Sequence, residues 1–282
     1  MQNKKINFVF FGTSEEAVYA LDALKKNGFT PTLIVTPPDR PAGRHNILKS
    51  PLAKTWAMKH SIKFLQPEKI DETAIAEIAK ENADVFIVVG YGKILPQALI
   101  ELPKYKTINV HPSLLPLYRG PTPIEAPILS GDRETGVSVM ILDKEVDHGP
   151  IIKQETYTLQ GDEKTAELTK ILFTRGGELL AQILPDWIEG KIKTKEQIHA
   201  NATFTKKLKK EDGLVILGAE LPKVLYNKFR AYSSWPRIFF FKNNKRVIIT
   251  DAELIDGKFV VKKVLPEGKK EITYTEFLNS NI

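Results

Sequence analysis

Three residues in the middle of the chain have the types and spacing for chemistry on a carbonyl. Asn109 and His111 stand two apart in "TINVHP", so on an extended chain both side chains leave the same side. Asp147 follows in "LDKEVDHGP", a polar turn closed by Gly149. An amide, an imidazole and a carboxylate brought together at strand ends would stabilise an oxyanion and manage a proton. Taken singly, each has a plainer reading: a histidine at a strand end is commonly structural, and Asp147 reads as a turn residue. No Ser, Cys or Lys nucleophile accompanies them. The trio therefore points to direct transfer between two bound substrates, without a covalent intermediate.

Other chemistries fit the sequence less well. Gly12 stands alone in "FFGTSEEA", with Ser14 and Ala17 where a dinucleotide-binding turn needs further glycines. The five histidines, His45, His60, His111, His148 and His199, show no paired spacing for a metal, so none is expected. "GVSVM" around Ser138 lacks the second glycine of a nucleophile elbow, and Ser138 reads as a strand residue.

The elements that must carry the trio are legible from periodicity. "INFVFFG", "TLIVTPPD", "IKFLQP", "DVFIVVGYG" and "TINVHP" are apolar runs separated by amphipathic stretches. The rhythm predicts a doubly wound, mainly parallel Rossmann-like α/β sheet, in which ligands bind beyond the carboxyl ends of the strands. Two more strands are expected at "GVSVMILDK" and "PIIKQETYTL", followed by a long helix from about Glu163 to Leu184, softened at Gly176-Gly177. "PPDRPAGRHNILKS" reads as a loop, with Ser50 capping the next helix and Pro51 at its first position. Beyond "PDWIEGKIKTKEQIHANATFTKK", a polar linker, the pattern becomes alternating strands with turns at Asn243-Asn244 and Asp256-Gly257. The expected organisation is a catalytic domain at 1–184, a linker at 185–203 and a basic, β-rich domain at 204–282.

Charge divides the same way. Residues 1–203 carry 25 basic and 25 acidic side chains, while 204–282 carry 16 and 9, so the whole excess of +7 lies in the last segment. Basic charge confined to one module suits a polyanion; a lysine-solubilised module is the alternative. The chain has no cysteine and no apolar run of the roughly 20 residues a membrane span needs. A cytoplasmic monomer is the default expectation.

"NVHPSLLPLYRGPTPIEAPILSGDRETGVSVMILDKEVDHGPII" resembles the core of the folate-dependent formyltransferases. "FFGTSEEAVYALDAL", "VTPPDRPAGR", "RAYSSWPRIFFF" and "VLPEGKKEITYTEFL" extend the resemblance nearly end to end, toward the tRNA-directed branch of that family. The resemblance implies 10-formyltetrahydrofolate as formyl donor and the amino group of methionyl-initiator tRNA as acceptor. A formyltransferase acting on a small amine, such as an amino-sugar nucleotide, is the alternative. By the same resemblance Asn109 would hydrogen-bond the formyl oxygen and His111 would stabilise its developing charge. Asp147 would orient His111 and help remove the amine proton. Ser113, Leu114, Leu115 and Pro116 would form the folate loop, with Tyr91, Ile94 and Leu95 beside the pterin. Arg40, Arg44 and Lys49 would face the acceptor stem, where His45-Asn46 replace the lysine pair usual in the family. Lys206, Lys207, Lys209, Lys210, Lys242, Lys245 and Arg246 would track phosphates on a small β-barrel of the oligonucleotide-binding type. That barrel is about two strands short here and is expected to be trimmed.

Overall fold

The computed structural model describes residues 6–42 and 46–280. In chain order its elements begin with β1 (Phe8–Gly12), α1 (Glu15–Lys26) and β2 (Leu33–Val35). Next come β3 (Arg40–Ala42), β4 (Ile47–Lys49), α2 (Leu52–Lys59), β5 (Lys63–Leu65) and α3 (Glu72–Ala79). Then follow β6 (Val85–Val89), α4 (Gln97–Ile100), β7 (Thr107–His111), α5 (Glu125–Ser130), β8 (Glu134–Ile141), β9 (Ile151–Thr158) and α6 (Thr165–Ile188). The chain closes with α7 (Pro222–Ala231), β10 (Phe239–Lys242), β11 (Lys245–Ile255), β12 (Lys258–Pro266), β13 (Ile272–Thr273) and α8 (Tyr274–Leu278). Among the described residues no helix is long and apolar enough to cross a membrane.

These elements fall into two compact units that interleave in sequence. One comprises Met1–Arg119, Gly136–Tyr157 and Thr169–Phe204; the other comprises Gly120–Thr135, Thr158–Leu168 and Thr205–Ile282. The expected boundaries at 184 and 204 follow chain order, whereas the units do not. The polar stretch read as a linker belongs to the first unit through its residues 185–204.

The first unit is built on a seven-stranded sheet in the order β5-β2-β1-β6-β7-β8-β9. The first five strands of that order are parallel, and β8 pairs antiparallel with β7. β1 and β6 are buried at every position, which is why they read as unbroken apolar runs. Asp71 caps α3 by accepting from the Ala74 amide at 3.0 Å.

α6 runs unbroken through Gly176 and Gly177. A Cβ on Gly176 would lie 2.5 Å from Val110, and one on Gly177 would lie 2.6 Å from the Ala20 carbonyl. The pair thus lets the helix lie close on β7 and α1 instead of softening it. Within the stretch expected as a loop, Arg40–Ala42 and Ile47–Lys49 pair as the antiparallel ribbon β3–β4. Ser50 does not cap α2. Its hydroxyl donates to Asp39 at 2.8 Å, and Lys54 and Gln66 bond the same carboxylate. These three bonds hold the Asp39 carboxyl down at about 2.

The second unit contains a four-stranded antiparallel sheet in the linear order β10-β11-β12-β13. Its two hairpins turn at Asn243-Asn244 and Asp256-Gly257, all four residues with positive φ, as tight primed turns require. Within this unit α7 buries Leu225 and Phe229, and Asn227 donates to the Leu129 carbonyl on α5 at 3.3 Å.

Candidate active site

β7 carries the first two members of the trio. It lies between parallel β6 and antiparallel β8, with Asn109 opposite Met140 and His111 opposite Ser138. Gly176 seats the long helix on Val110, between them. The strand's extended geometry sends both side chains the same way. Asn109 is half-buried, and among the described residues its carboxamide has no hydrogen-bond partner. A half-buried amide with free donors at a strand end is suited to an incoming oxygen.

Asp147 reaches the site by a less direct route than its sequence position suggests. β8 runs antiparallel, so its last residue, Ile141, lies beside Ile108 near the start of β7. The chain must fold back after β8 to bring Asp147 to His111. Gly149 permits this, because a Cβ there would lie 2.0 Å from the Ile141 carbonyl. The result is a His111 Nδ1 to Asp147 Oδ1 separation of 3.5 Å, with both side chains largely buried. On its other side, the His111 Nε2–H donates to the Tyr118 carbonyl at 3.0 Å, which fixes the proton on that nitrogen. The imidazole is thus held between a carbonyl and a carboxylate. The residues supplying them, Tyr118 and Asp147, both adopt left-handed backbone, with φ of 59 and 50. Such conformations are costly for side chains with a Cβ and cluster where function over-determines the backbone.

The loop after His111 is pinned by Ser138, expected only as a strand residue, and by Gln154, which the sequence did not single out. Ser138 Oγ donates to the Ser113 carbonyl at 2.6 Å and accepts from the Leu115 amide at 3.1 Å. Gln154 donates to that hydroxyl at 2.8 Å and to the Leu115 carbonyl at 2.9 Å. Ser113 Oγ in turn donates to the Leu117 carbonyl. Ser113 and Leu115 are therefore buried, and Leu115 packs with Met140 and Ile151. Leu114 and Pro116 are half-buried, and Leu114 lies against Gly136, where a side chain would collide. Ser138 and Gln154 had no local signature, since their partners lie 16 to 39 residues away.

The remaining expected site residues divide sharply. Tyr91 and Leu95 belong to the core around β1 and β6. The Tyr91 hydroxyl is buried without a partner among the described residues, and burial pushes it up to about 12. Ile94 is 94% exposed. On the β3–β4 ribbon, Arg40 pairs with Glu68 and Lys49 is exposed, beside exposed Ile47 and Leu48. Arg44 lies outside the described residues.

In the second unit Lys206, Lys207, Lys209, Lys210 and Lys245 are exposed, with no ion pair among the described residues. Lys242 sits over the Phe277 ring at 4.7 Å. Arg246 is half-buried and stacks on Phe239 at 3.9 Å while donating to the Pro236 carbonyl. It is a packing residue of the module rather than a free surface cation.

The chain is similar to known proteins over most of its length. The formyl transferase family model matches residues 4–184, and the model for the formyl transferase C-terminal domain matches 207–260. The methionyl-tRNA formyltransferase of Chloroflexus aggregans is 41% identical over 249 residues, 88% of this chain and 80% of the relative. That of Thermodesulfovibrio yellowstonii is 34% identical over 293 residues, covering 96% and 94%. Among solved structures, a methionyl-tRNA formyltransferase from Clostridium thermocellum superposes with a TM-score of 0.61 at 17% identity, covering 95% and 99% of the two chains. An N-formyltransferase from Helicobacter canadensis, in complex with folinic acid and dTDP-3-aminofucose, gives 0.63 at 20% identity, covering 91% and 95%. The two structures speak to the fold alone. With the formyl transferase model matching well over half of the chain and its sequence relatives aligned over most of their length, the chain belongs to the formyl transferase family.

Proposed function

We propose that the chain transfers the formyl group of 10-formyltetrahydrofolate to the free amino group of methionyl-initiator tRNA. The observation that carries the reading is the unpartnered Asn109 amide beside the His111–Asp147 pair, in a chain 34–41% identical to methionyl-tRNA formyltransferases. The folate supplies an activated formyl carbon next to a good leaving nitrogen. Asn109 donates to the formyl oxygen, and His111, kept in orientation by the Tyr118 carbonyl, offers positive charge to it when protonated. Asp147 holds the imidazole from the other side and accepts the proton shed as the amine attacks. The new bond joins the methionine nitrogen to the formyl carbon; the bond to the folate nitrogen breaks, and that nitrogen takes up a proton.

The Ser113–Pro116 loop serves as a rigid shelf, with Leu114 and Pro116 as its accessible apolar faces. Ile94, exposed and apolar, is the residue of the Tyr91–Leu95 segment that would cover a pterin in this reading, and its exposure supports that role. Tyr91 and Leu95 support it from the core. Phosphate contacts fall to Lys49 and to the exposed lysines of residues 206–210 and Lys245. These are point charges, whose grip weakens as salt rises.

The test is formyl transfer measured on charged initiator tRNA, charged elongator tRNA and a free amino-sugar nucleotide. Transfer confined to the initiator is the expected result. Turnover of the sugar nucleotide without tRNA would replace the proposed acceptor with a small amine.

A further inference from the structure

His111 is flanked by two left-handed residues, and a single distant segment holds both. Residues 195–204 form a strap across the first unit. It begins with a two-bond antiparallel bridge, Lys195 and Ile151 exchanging hydrogen bonds of 2.8 Å. It ends where the Arg119 amide donates to the Thr203 carbonyl at 2.9 Å and the Tyr118 amide donates to the Thr203 hydroxyl at 2.8 Å. Between these anchors Gln197 is buried, and its Nε2 donates to the carbonyls of Asp147, at 3.0 Å, and Gly149, at 2.7 Å.

The Gln197 amide can face only one way. Its Oε1 accepts from Nε and Nη2 of Arg119, at 3.2 and 2.6 Å, and a guanidinium only donates. Its Nε2 is therefore committed to the two carbonyls. Arg119 is itself 3% exposed, so its charge requires partners. Its Nη2 also donates to His199 Nδ1 at 2.9 Å, and the guanidinium lies over the Phe204 ring at 5.8 Å. His199 stacks in parallel on His148 at 4.1 Å, and His148 Nδ1 donates to Asp143 Oδ2 at 2.8 Å. The turn that presents Asp147 is thus clamped at residues 143, 147, 148 and 149: at 147 and 149 by Gln197, at 148 by stacking on His199, and at 143 through His148.

We infer that Gln197, oriented by Arg119, is a positioning residue for the transfer reaction: it holds Asp147 in its left-handed conformation and so sets the carboxylate against His111. This rests on the proposed function for its kinetic consequence, though not for its structural one. Without the two carbonyl bonds the turn can relax toward ordinary backbone, carrying the carboxylate away from the imidazole. A shift on the order of 1 Å at a reacting group costs about 100-fold in rate.

The experiment uses the full chain with Gln197→Glu and Gln197→Met, beside Asp147→Asn. Gln197→Glu keeps the acceptor for Arg119 and removes both donors, while Gln197→Met keeps the volume and removes all polar bonds. The expected result is a kcat lowered about 10- to 100-fold in both, KM for charged tRNA within about twofold because no binding group is touched, and unfolding temperature retained in at least one. The second readout needs no turnover: the ring nitrogen resonances of His111 should move in both variants, in the same direction as in the Asp147→Asn control. Wild-type kcat with unmoved His111 resonances would overturn the inference. So would a lowered kcat with unmoved resonances, which would assign the loss elsewhere. Should the wild type fail to formylate methionyl-tRNA, the functional reading falls, and the His111 resonances still decide whether Gln197 sets the pair.

Discussion

The surroundings of His111 and the basic face of the second unit handle polar groups in opposite ways. Around His111, side chains are buried or half-buried, the Tyr118, Asp147 and Gly149 carbonyls each accept from a side chain, and two residues are held in unfavourable backbone conformations. On the second unit the lysines at 206, 207, 209, 210 and 245 stand in solvent without ion pairs among the described residues. One region is organised so that small displacements matter; the other tolerates them, because a field from several mobile charges survives the loss of any one. The expected division is that changes near His111 act on kcat, and changes among the lysines act on KM and on its salt dependence.

Asn109→Ala should produce the largest effect. Loss of one donor to a developing oxyanion lowers kcat by about 10²–10³, and steady-state kinetics with saturating tRNA should find that loss with KM little changed. A comparable rise in KM with kcat intact would place Asn109 in uniform binding and blur the contrast. Gly149→Ala comes next. Its Cβ would collide with the Ile141 carbonyl, and backbone cannot give as a flexible side chain can. A destabilisation of about 1–3 kcal/mol is expected, read by denaturant unfolding, together with a lowered kcat as the Asp147 turn shifts. Wild-type stability and turnover would show that the turn is not confined.

Smaller still is the loss of the Lys206 and Lys207 charges by substitution with Gln. The salt slope of tRNA binding should fall by about one unit per lysine while kcat holds; an unchanged slope would move the acceptor contact off this segment. Tyr91→Phe should give the least. Removing a buried hydroxyl that lacks a partner should stabilise the chain by about 1 kcal/mol, with no change in KM for the folate. A raised folate KM would mean that the hydroxyl serves the ligand rather than only sitting in the core.

What could be read from the sequence was whatever depended on neighbours in the chain. The apolar runs of β1, β2, β6 and β7 declared a parallel sheet because burial on both faces leaves no polar alternation, while β5, at the sheet edge, is only partly buried. Asn243-Asn244 and Asp256-Gly257 declared hairpins because few residues accept their backbone angles. What stayed hidden depended on partners far along the chain. Gly176 and Gly177 resemble helix breakers until Val110 and Ala20 are seen against them. The β3–β4 ribbon is too short for alternation to register. Residues 185–203 look like a linker because the few polar side chains that anchor them, those of Gln197, His199 and Thr203, find partners up to 85 positions away. Asn109, His111 and Asp147 were legible as a set, whereas Gln197, Arg119, Ser138 and Gln154 were not, since supporting residues carry no spacing of their own.

The most direct test of the division between the two regions is KM and kcat for charged initiator tRNA across a salt series, in the wild type and in Asn109→Ala. Two parallel lines of log KM against log salt are expected, with two salt-independent kcat values separated by about 10²–10³. Different slopes, or a kcat that falls with salt, would contradict that division by showing that the same contacts serve both binding and chemistry.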